Sequence, residues 1–402
     1  MVRDGEHPTF SLILVCSSYP PVIGGSEIEA QRVCSALIKR GHRVTVATTG
    51  GPPMPPLRKW TDPAGVPVRL YAAHWNGVMK DVVYAISVAW LLIRERRNYQ
   101  AVYFLMQGLH LAVGLPVARL LRKTILMKVG GSGVLPAMAL SPTGRLEIRW
   151  LRRWADRIMI LNEGMRAEAL AARLPADRLV WMPNPVDTEH FRPVVDAERL
   201  RLRAQHDLPP DAFVIIYTGR LAPEKSLHLL VEAFATVWRQ RAHAYLVLVG
   251  DGPMRAALTE QTRGQGCQDN ARFVGSVAPL EIPRWLQMAD VFALVSLSEG
   301  FPCALVEAMS TGLASVVSDI PANRQLVQSE QHGLLSPAGD ISATAAALTR
   351  LLDDPELRAR MGTEARRSVK QHYATERVLE LYETMLGETI PTTRRAVDWS
   401  ER

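Results

Sequence analysis

Two glutamates, Glu299 and Glu307, stand eight positions apart in the segment VFALVSLSEGFPCALVEAMSTGLASVVSD at residues 291–319. The run VFALVSLS is short, apolar and β-rich, as a parallel strand covered on both faces requires. Glu299 follows its carboxyl end, where open α/β sheets bind ligands. Pro302 suits the first position of a following helix, because its fixed φ is helical and its missing N–H has no partner there. The amides from Gly300 through Phe301 to Cys303 should then face outward from a helix N-terminus, toward a hydrogen-bonding or anionic ligand. Glu307 falls about 7 Å further along, at roughly 1.5 Å per residue. Carboxylates staggered in this way can hold one diol at each end of a long, hydroxyl-rich ligand. A nucleotide sugar, with a hexose at one end and a ribose near the other, has that shape. The plainer reading is two solvated carboxylates. Against it, Glu307 stands among Leu305, Val306, Ala308 and Met309, where an unpaired carboxylate is costly to bury.

Four other segments supply complementary groups. In TGRLAPEKSLHLLVEAF a strand ends at Gly219 and a helix begins near Ser226 or Leu227, with Arg220 and Lys225 flanking the loop. Two cations beside a helix N-terminus make a diphosphate seat; taken alone, they would be ordinary surface charges. In LVLVGDGPM, Gly250 and Gly252 form a Gly-x-Gly after a strand, which lets a ligand approach the backbone, although a tight turn explains it equally well. In RFVGSV, the backbone at Phe273 and Val274 could edge a nucleobase. At the front, SSYPPVIGGSE places Gly24 and Gly25 between a strand and a helix that Ser26 or Glu27 could cap. Neither a full G-x-G-x-x-G nor a G-x-x-x-x-G-K-[ST] is present, which argues against a dinucleotide enzyme and a P-loop ATPase.

These groups need a scaffold, and the chain provides one twice. In the front half, strand-like runs near 10–18, 42–49, 66–73, 101–108, 123–130, 157–162 and 178–183 alternate with helix-like runs. The rear half repeats the alternation with FVIIYTG, AYLVLVGDG, RFVGSV, VFALVSLS, ASVVSD and HGLLSP. Strands alternating with helices mean parallel sheets. The reading is α/β, with two doubly wound, Rossmann-like parallel-sheet domains facing across a cleft. The first spans 1–195 and the second 205–372, and a helix at about 375–390 packs back on the first. The Pro- and Asp-rich stretch near 184–212 reads as the linker, and GGPPMPPLRKW at 50–60 reads as a loop.

A chain of 402 residues suits two domains. Its four cysteines, Cys16, Cys34, Cys267 and Cys303, are scattered; they suggest no disulfide framework or zinc site and fit a reducing cytosol. FSLILVC is too short for a signal sequence, and the apolar run VVYAISVAWLLI is too short to cross a bilayer. Residues 1–200 hold 26 Lys and Arg against 16 Asp and Glu, whereas residues 201–402 hold 21 against 24. A basic front half points to an anionic partner. Nucleic acid lacks any supporting signature, so anionic lipid or glycan fits better. In RLEIRWLRRWADR, at 145–157, arginines alternate with Trp150 and Trp154. That helix could rest on an anionic membrane; packing on the sheet with solvated arginines is the simpler reading.

Taken together, the segments resemble the family-4 retaining glycosyltransferases of the GT-B fold. The resemblance rests on EGFPCALVE, GRLAPEK, PPVIGGSE with LIKRGHRVTVAT, NPVDTEHF and HGLLSPAGD, in order and over nearly the whole chain. It implies that Glu307 holds the ribose and that Glu299, with amides near Phe301, holds the donor sugar. Arg220 and Lys225 would hold the diphosphate and stabilise it as it leaves, with no metal and no cofactor. Gly24 and Gly25 would meet the donor from the front domain. The family's front-domain histidine has no clear counterpart: the strand end reads LMKVGGSG. This leaves Lys128, with Gly131 and Ser132, as acceptor-side candidates. His110, one strand earlier, is either a related catalytic group or a plain helix-start residue.

The expected activity is transfer of a hexosyl unit from an NDP-sugar to a hydroxyl of a glycan, a lipid or a small-molecule acceptor. UDP and GDP both fit, with UDP preferred. The expected location is the cytoplasm, with peripheral contact to the inner face of an anionic plasma membrane as an option. The rival readings are an NDP-sugar epimerase or hydrolase on the same fold, and a binding subunit without turnover.

Overall fold

The computed structural model describes residues 9–20, 25–49, 59–71 and 77–391. The chain divides into two compact units, one formed by 1–185 with 375–402 and the other by 186–374. The division therefore falls between Pro185 and Val186, at the start of the Pro- and Asp-rich stretch.

The first unit runs β1 (Ser11–Cys16), α1 (Gly25–Lys39), β2 (Arg43–Thr48), β3 (Lys59–Thr61), β4 (Pro67–Leu70), α2 (Gly77–Arg94), β5 (Ala101–Leu105) and α3 (Leu109–Leu120). It continues with β6 (Thr124–Lys128), α4 (Val134–Leu140), α5 (Pro142–Trp154), β7 (Arg157–Ile160), α6 (Glu163–Ala171) and β8 (Leu179–Trp181). Its sheet has the order β3-β4-β2-β1-β5-β6-β7-β8. All neighbours are parallel except β3 with β4. The strand order reverses between β1 and β5, so the crevice at their carboxyl ends is the ligand position this topology favours. Both strands are buried throughout, which is why they read as unbroken apolar runs.

The second unit runs α7 (Asp196–Gln205), β9 (Phe213–Thr218), α8 (Leu227–Gln240), β10 (Ala244–Val249), α9 (Arg255–Gly264), β11 (Ala271–Gly275), α10 (Ile282–Gln287) and β12 (Val291–Leu294). It ends with α11 (Cys303–Ser310), β13 (Ala314–Ser318), α12 (Pro321–Leu326), β14 (Gly333–Ser336), α13 (Ile341–Asp353) and α14 (Pro355–His372). The order β11-β10-β9-β12-β13-β14 is wholly parallel. Here the reversal lies between β9 and β12. The chain then re-enters the first unit as α15 (Thr375–Thr389), which packs on α1 and buries Val378, Leu379, Tyr382, Met385 and Leu386. The Tyr382 and Tyr103 hydroxyls share a buried hydrogen bond of 3.2 Å.

α7 occupies much of the expected linker because its Arg203 is needed inside. The guanidinium reaches Asp290 at 2.6 Å and donates to the Met288 and Pro210 carbonyls at 2.9 and 3.0 Å. A charge so buried must be paired.

Candidate active site

The reversal point of the second sheet gathers the groups singled out above. β9 ends at Thr218, and the turn Gly219–Arg220 leads to a short helical turn at Pro223–Lys225 and then to α8. β12 ends at Leu294, and the loop carrying Glu299 leads to α11. Across this crevice Lys225 Nζ lies 2.7 and 2.9 Å from the two carboxylate oxygens of Glu299. The carboxylate is nearly buried, at 8% exposure, and the lysine remains 24% exposed. Arg220, in the same loop as Lys225, is exposed. Its carbonyl accepts from the Tyr217 hydroxyl at 3.0 Å. Burial, followed by the nearby Glu299 and Glu224 charges, raises the Tyr217 pKa and keeps it a neutral donor.

The glycines here have a structural duty. Gly219 and Gly250 hold φ of +144° and +132°, values that disfavour any side chain. Gly219 N–H donates to the Val249 carbonyl and Leu221 N–H to that of Asp251, both at 2.9 Å. A Cβ on Gly250 would collide with the Gly219 carbonyl, and one on Gly252 with that of Leu221. The Gly-x-Gly thus lets two strand-end turns lie against each other, a cause independent of any ligand. Ser226 also has positive φ, at +51°, and no side chain caps α8.

Pro302 is the residue before α11 rather than its first member, with φ −78°, and no side chain caps this helix either. Gly300, Phe301, Cys303 and Glu307 are half-buried. Phe301 packs against Tyr373 with ring centroids 5.9 Å apart, which holds the loop after Glu299. Glu307 lies one turn into α11, and its carbonyl accepts from Thr311 N–H and from the Thr311 hydroxyl at 3.0 and 2.8 Å. At β11, Phe273 and Val274 are half-buried, and the Phe273 carbonyl accepts from Arg255 at 3.1 Å. That oxygen is already engaged by protein.

The front-domain candidates are dispersed. Gly24 lies outside the described residues; Gly25 opens α1 and is exposed. Glu27 accepts from the Ser18 hydroxyl rather than serving as a cap. Gly131 and Ser132 lie half-buried in the loop after β6, where Asn162 Nδ2 approaches the Ser132 hydroxyl at 3.5 Å. One expectation needs correction, and for His110 the plain helix-start alternative fits the geometry. Lys128 is 1% exposed, ion-paired with Glu29 of α1 and 2.7 Å from Asn184 Oδ1; its ammonium cross-links α1, β6 and the end of the unit instead of facing an acceptor. His110 is 3% exposed in the first turn of α3, 5.3 Å from the Tyr84 ring centroid. Burial lowers its pKa to about 4, so it is a neutral core side chain and not an exposed acid or base.

Sequence reasoning missed Tyr217. Tyr217 lies inside an apolar strand run, where nothing marks a hydroxyl that steadies the loop after Gly219. Lys225–Glu299 spans 74 positions, a pairing that only the sheet order creates.

Comparisons with known proteins agree with this architecture. The family model "Glycosyltransferase Family 4" matches residues 23–190, and "Glycosyl transferases group 1" matches residues 198–368. The GDP-mannose-dependent alpha-(1-6)-phosphatidylinositol monomannoside mannosyltransferase of Mycobacterium tuberculosis is 26% identical over 363 residues, 88% of this chain and 92% of that protein. The alpha-D-kanosaminyltransferase of Streptomyces kanamyceticus is 29% identical over 222 residues. That match spans 54% of this chain and only 57% of the relative's length. The structure of Anabaena Alr3699/HepE in complex with UDP-glucose superposes with a TM-score of 0.78 at 19% identity, covering 94% of this chain and all of the other. At that identity the likeness concerns the fold.

Proposed function

Because the chain belongs to the family-4, group-1 glycosyltransferases and has their GT-B fold, we propose that it transfers a hexosyl unit from a nucleoside-diphosphate sugar to an acceptor hydroxyl, with retention of configuration and without metal. The observation that carries this reading is the Lys225–Glu299 pair, with Arg220 in the same loop, at the reversal point of the second sheet. Lys225 has three N–H donors. Two engage Glu299, and the third is left for a diphosphate oxygen. Glu299 takes hydroxyls of the donor sugar, and Glu307 takes the ribose diol further down α11. Arg220 adds a forked donor suited to phosphate. As the glycosidic bond breaks, negative charge grows on the diphosphate, and fixed cations stabilise that charge in the transition state. These residues supply a positive charge that a metal would otherwise bring. The acceptor, a hydroxyl on a glycan, lipid or small molecule, belongs at the carboxyl ends of β1 and β5 in the first unit.

UDP is the preferred nucleotide. The Anabaena structure contains UDP-glucose, whereas the mycobacterial relative is named for GDP-mannose, so both nucleotides must be tried. The test is a thermal-shift screen of UDP, GDP and their hexose conjugates, because a ligand that binds only the folded state raises the melting midpoint. Proton NMR of the product with the stabilising donor then reads the anomeric configuration. No stabilisation by any nucleotide, or an inverted product, would overturn the reading.

A further inference from the structure

The basic face of the first unit carries an apolar stripe that no packing within the described residues accounts for. α2 buries Tyr84, Ala85, Val88, Leu91 and Leu92 on its inner side. Its outer side is also apolar. Met79, Ile86, Trp90 and Ile93, at spacings of seven, four and three, fall on one line and are 51, 62, 48 and 48% exposed. A helix apolar all round is normally enclosed, and a continuous exposed apolar line marks an interaction surface.

Charge identifies what meets it. Right-handed crossovers place α2, α3 and α5 on one face of the sheet, opposite α1, and α3 packs against both α2 and α5. The segment 77–157 that builds this layer holds 13 Lys and Arg against 4 Asp and Glu; without Lys128, which is buried against Glu29, the net is still +8, more than the +7 of the whole chain. Three of its four acids are engaged or buried: Glu95 pairs with Arg69, Glu147 is buried, and Asp156 accepts from Ile125 N–H; Asp81, in the first turns of α2, is exposed. On α5, Ile148 and Leu151 face inward while Arg145, Arg149, Arg152 and Arg153 are exposed. The Arg94 guanidinium sits 4.8 Å from the Trp90 ring centroid, joining the apolar stripe to the basic field.

We propose that this face docks on an anionic phospholipid bilayer, with the outer stripe of α2 in the headgroup–acyl boundary and the arginines of α5 on lipid phosphates. Tryptophan favours that boundary, and arginine pairs with phosphate through its fork. A free anion would leave the apolar stripe unused. A second copy of the chain would bring two strongly positive faces together, which is repulsive. Among the described residues no helix is long and apolar enough to cross a membrane.

The test uses the full chain and sedimentation with vesicles of phosphatidylcholine, with or without phosphatidylglycerol. The expected result is binding to the phosphatidylglycerol vesicles alone, weakened by salt as the Debye length shrinks. Ile86→Glu with Ile93→Glu, and separately Arg145→Glu with Arg149→Glu and Arg153→Glu, should each reduce binding at least about tenfold. All these positions are exposed, so both variants should retain the wild-type melting midpoint. The proposal is overturned if the wild type stays in the supernatant with phosphatidylglycerol, or if the Ile86/Ile93 variant binds as well as the wild type. It is equally overturned if ultracentrifugation shows a dimer that this variant dissociates. Vesicle binding requires no sugar nucleotide, so its failure would leave the transferase reading untouched.

Discussion

Glu299 and Lys225 arise from opposite sides of the second sheet's reversal point, yet their charged groups meet at 2.7 and 2.9 Å. Each therefore positions the other before any donor arrives. Lys225→Ala should remove a cation that matters most as the diphosphate departs. A loss of about 10²–10³ in kcat is expected, the scale for deleting one charge-stabilising donor. The same variant strands the nearly buried Glu299 carboxylate, so the melting midpoint should fall as well. Steady-state kinetics beside a thermal melt separate these effects; a normal kcat would remove Lys225 from the machinery.

Glu307 sits in α11, beyond Glu299 in the chain, and in the proposed reading it lies away from the breaking bond. Its proposed ribose contact is made equally in the ground state and the transition state, so it should act mainly on binding. Glu307→Ala is expected to raise the donor KM about tenfold or more, the scale of a lost charge-assisted hydrogen bond, with a smaller fall in kcat. An unchanged donor KM would place the ribose elsewhere.

Much of the scaffold can be read from the chain because buried parallel strands are written as apolar runs, and both sheets consist almost wholly of such strands. β3 escapes that reading: Lys59–Thr61 is three residues long, lies on an edge and follows a proline cluster, so no periodicity announces it. α7 escapes for another reason. Its flanks are rich in Pro and Asp, and the pull that orders it is tertiary, the buried Arg203–Asp290 pair. At the site, residue types and strand-end positions were legible, whereas the partners were not. Lys128 looked like a ligand group because its companion Glu29 lies 99 positions away.

That companion sets a stability test. Lys128→Met leaves the Glu29 carboxylate buried without its cation, and breaking such a pair costs about 3–5 kcal/mol. Adding Glu29→Leu removes the stranded charge and should recover most of the loss. Urea unfolding of the wild type, both single variants and the double variant gives the coupling energy. If the double variant is as unstable as the sum of the singles, the two side chains do not act as a pair.

A last pair of groups makes stability depend on pH in opposite directions. Burial holds the His110 pKa at about 4, below its ordinary value, and pushes that of Glu147 up to about 7. For the histidine, the unfolded chain binds the extra proton between pH 6.5 and 4, so stability falls as the solution is acidified through that window. The full effect is roughly 3 kcal/mol, at 1.36 kcal/mol per pKa unit. For the glutamate, the folded state binds the extra proton between pH 4.5 and 7, so its contribution is present in acid and disappears as pH rises through 7. Glu147→Gln should therefore raise the melting midpoint above pH 7, and the gain should shrink toward zero near pH 4.5. His110→Leu should instead gain relative to the wild type as pH falls from 6.5 to 4. Melts of the three proteins across this range distinguish the two contributions by sign, and parallel curves for all three would show that neither group titrates with folding.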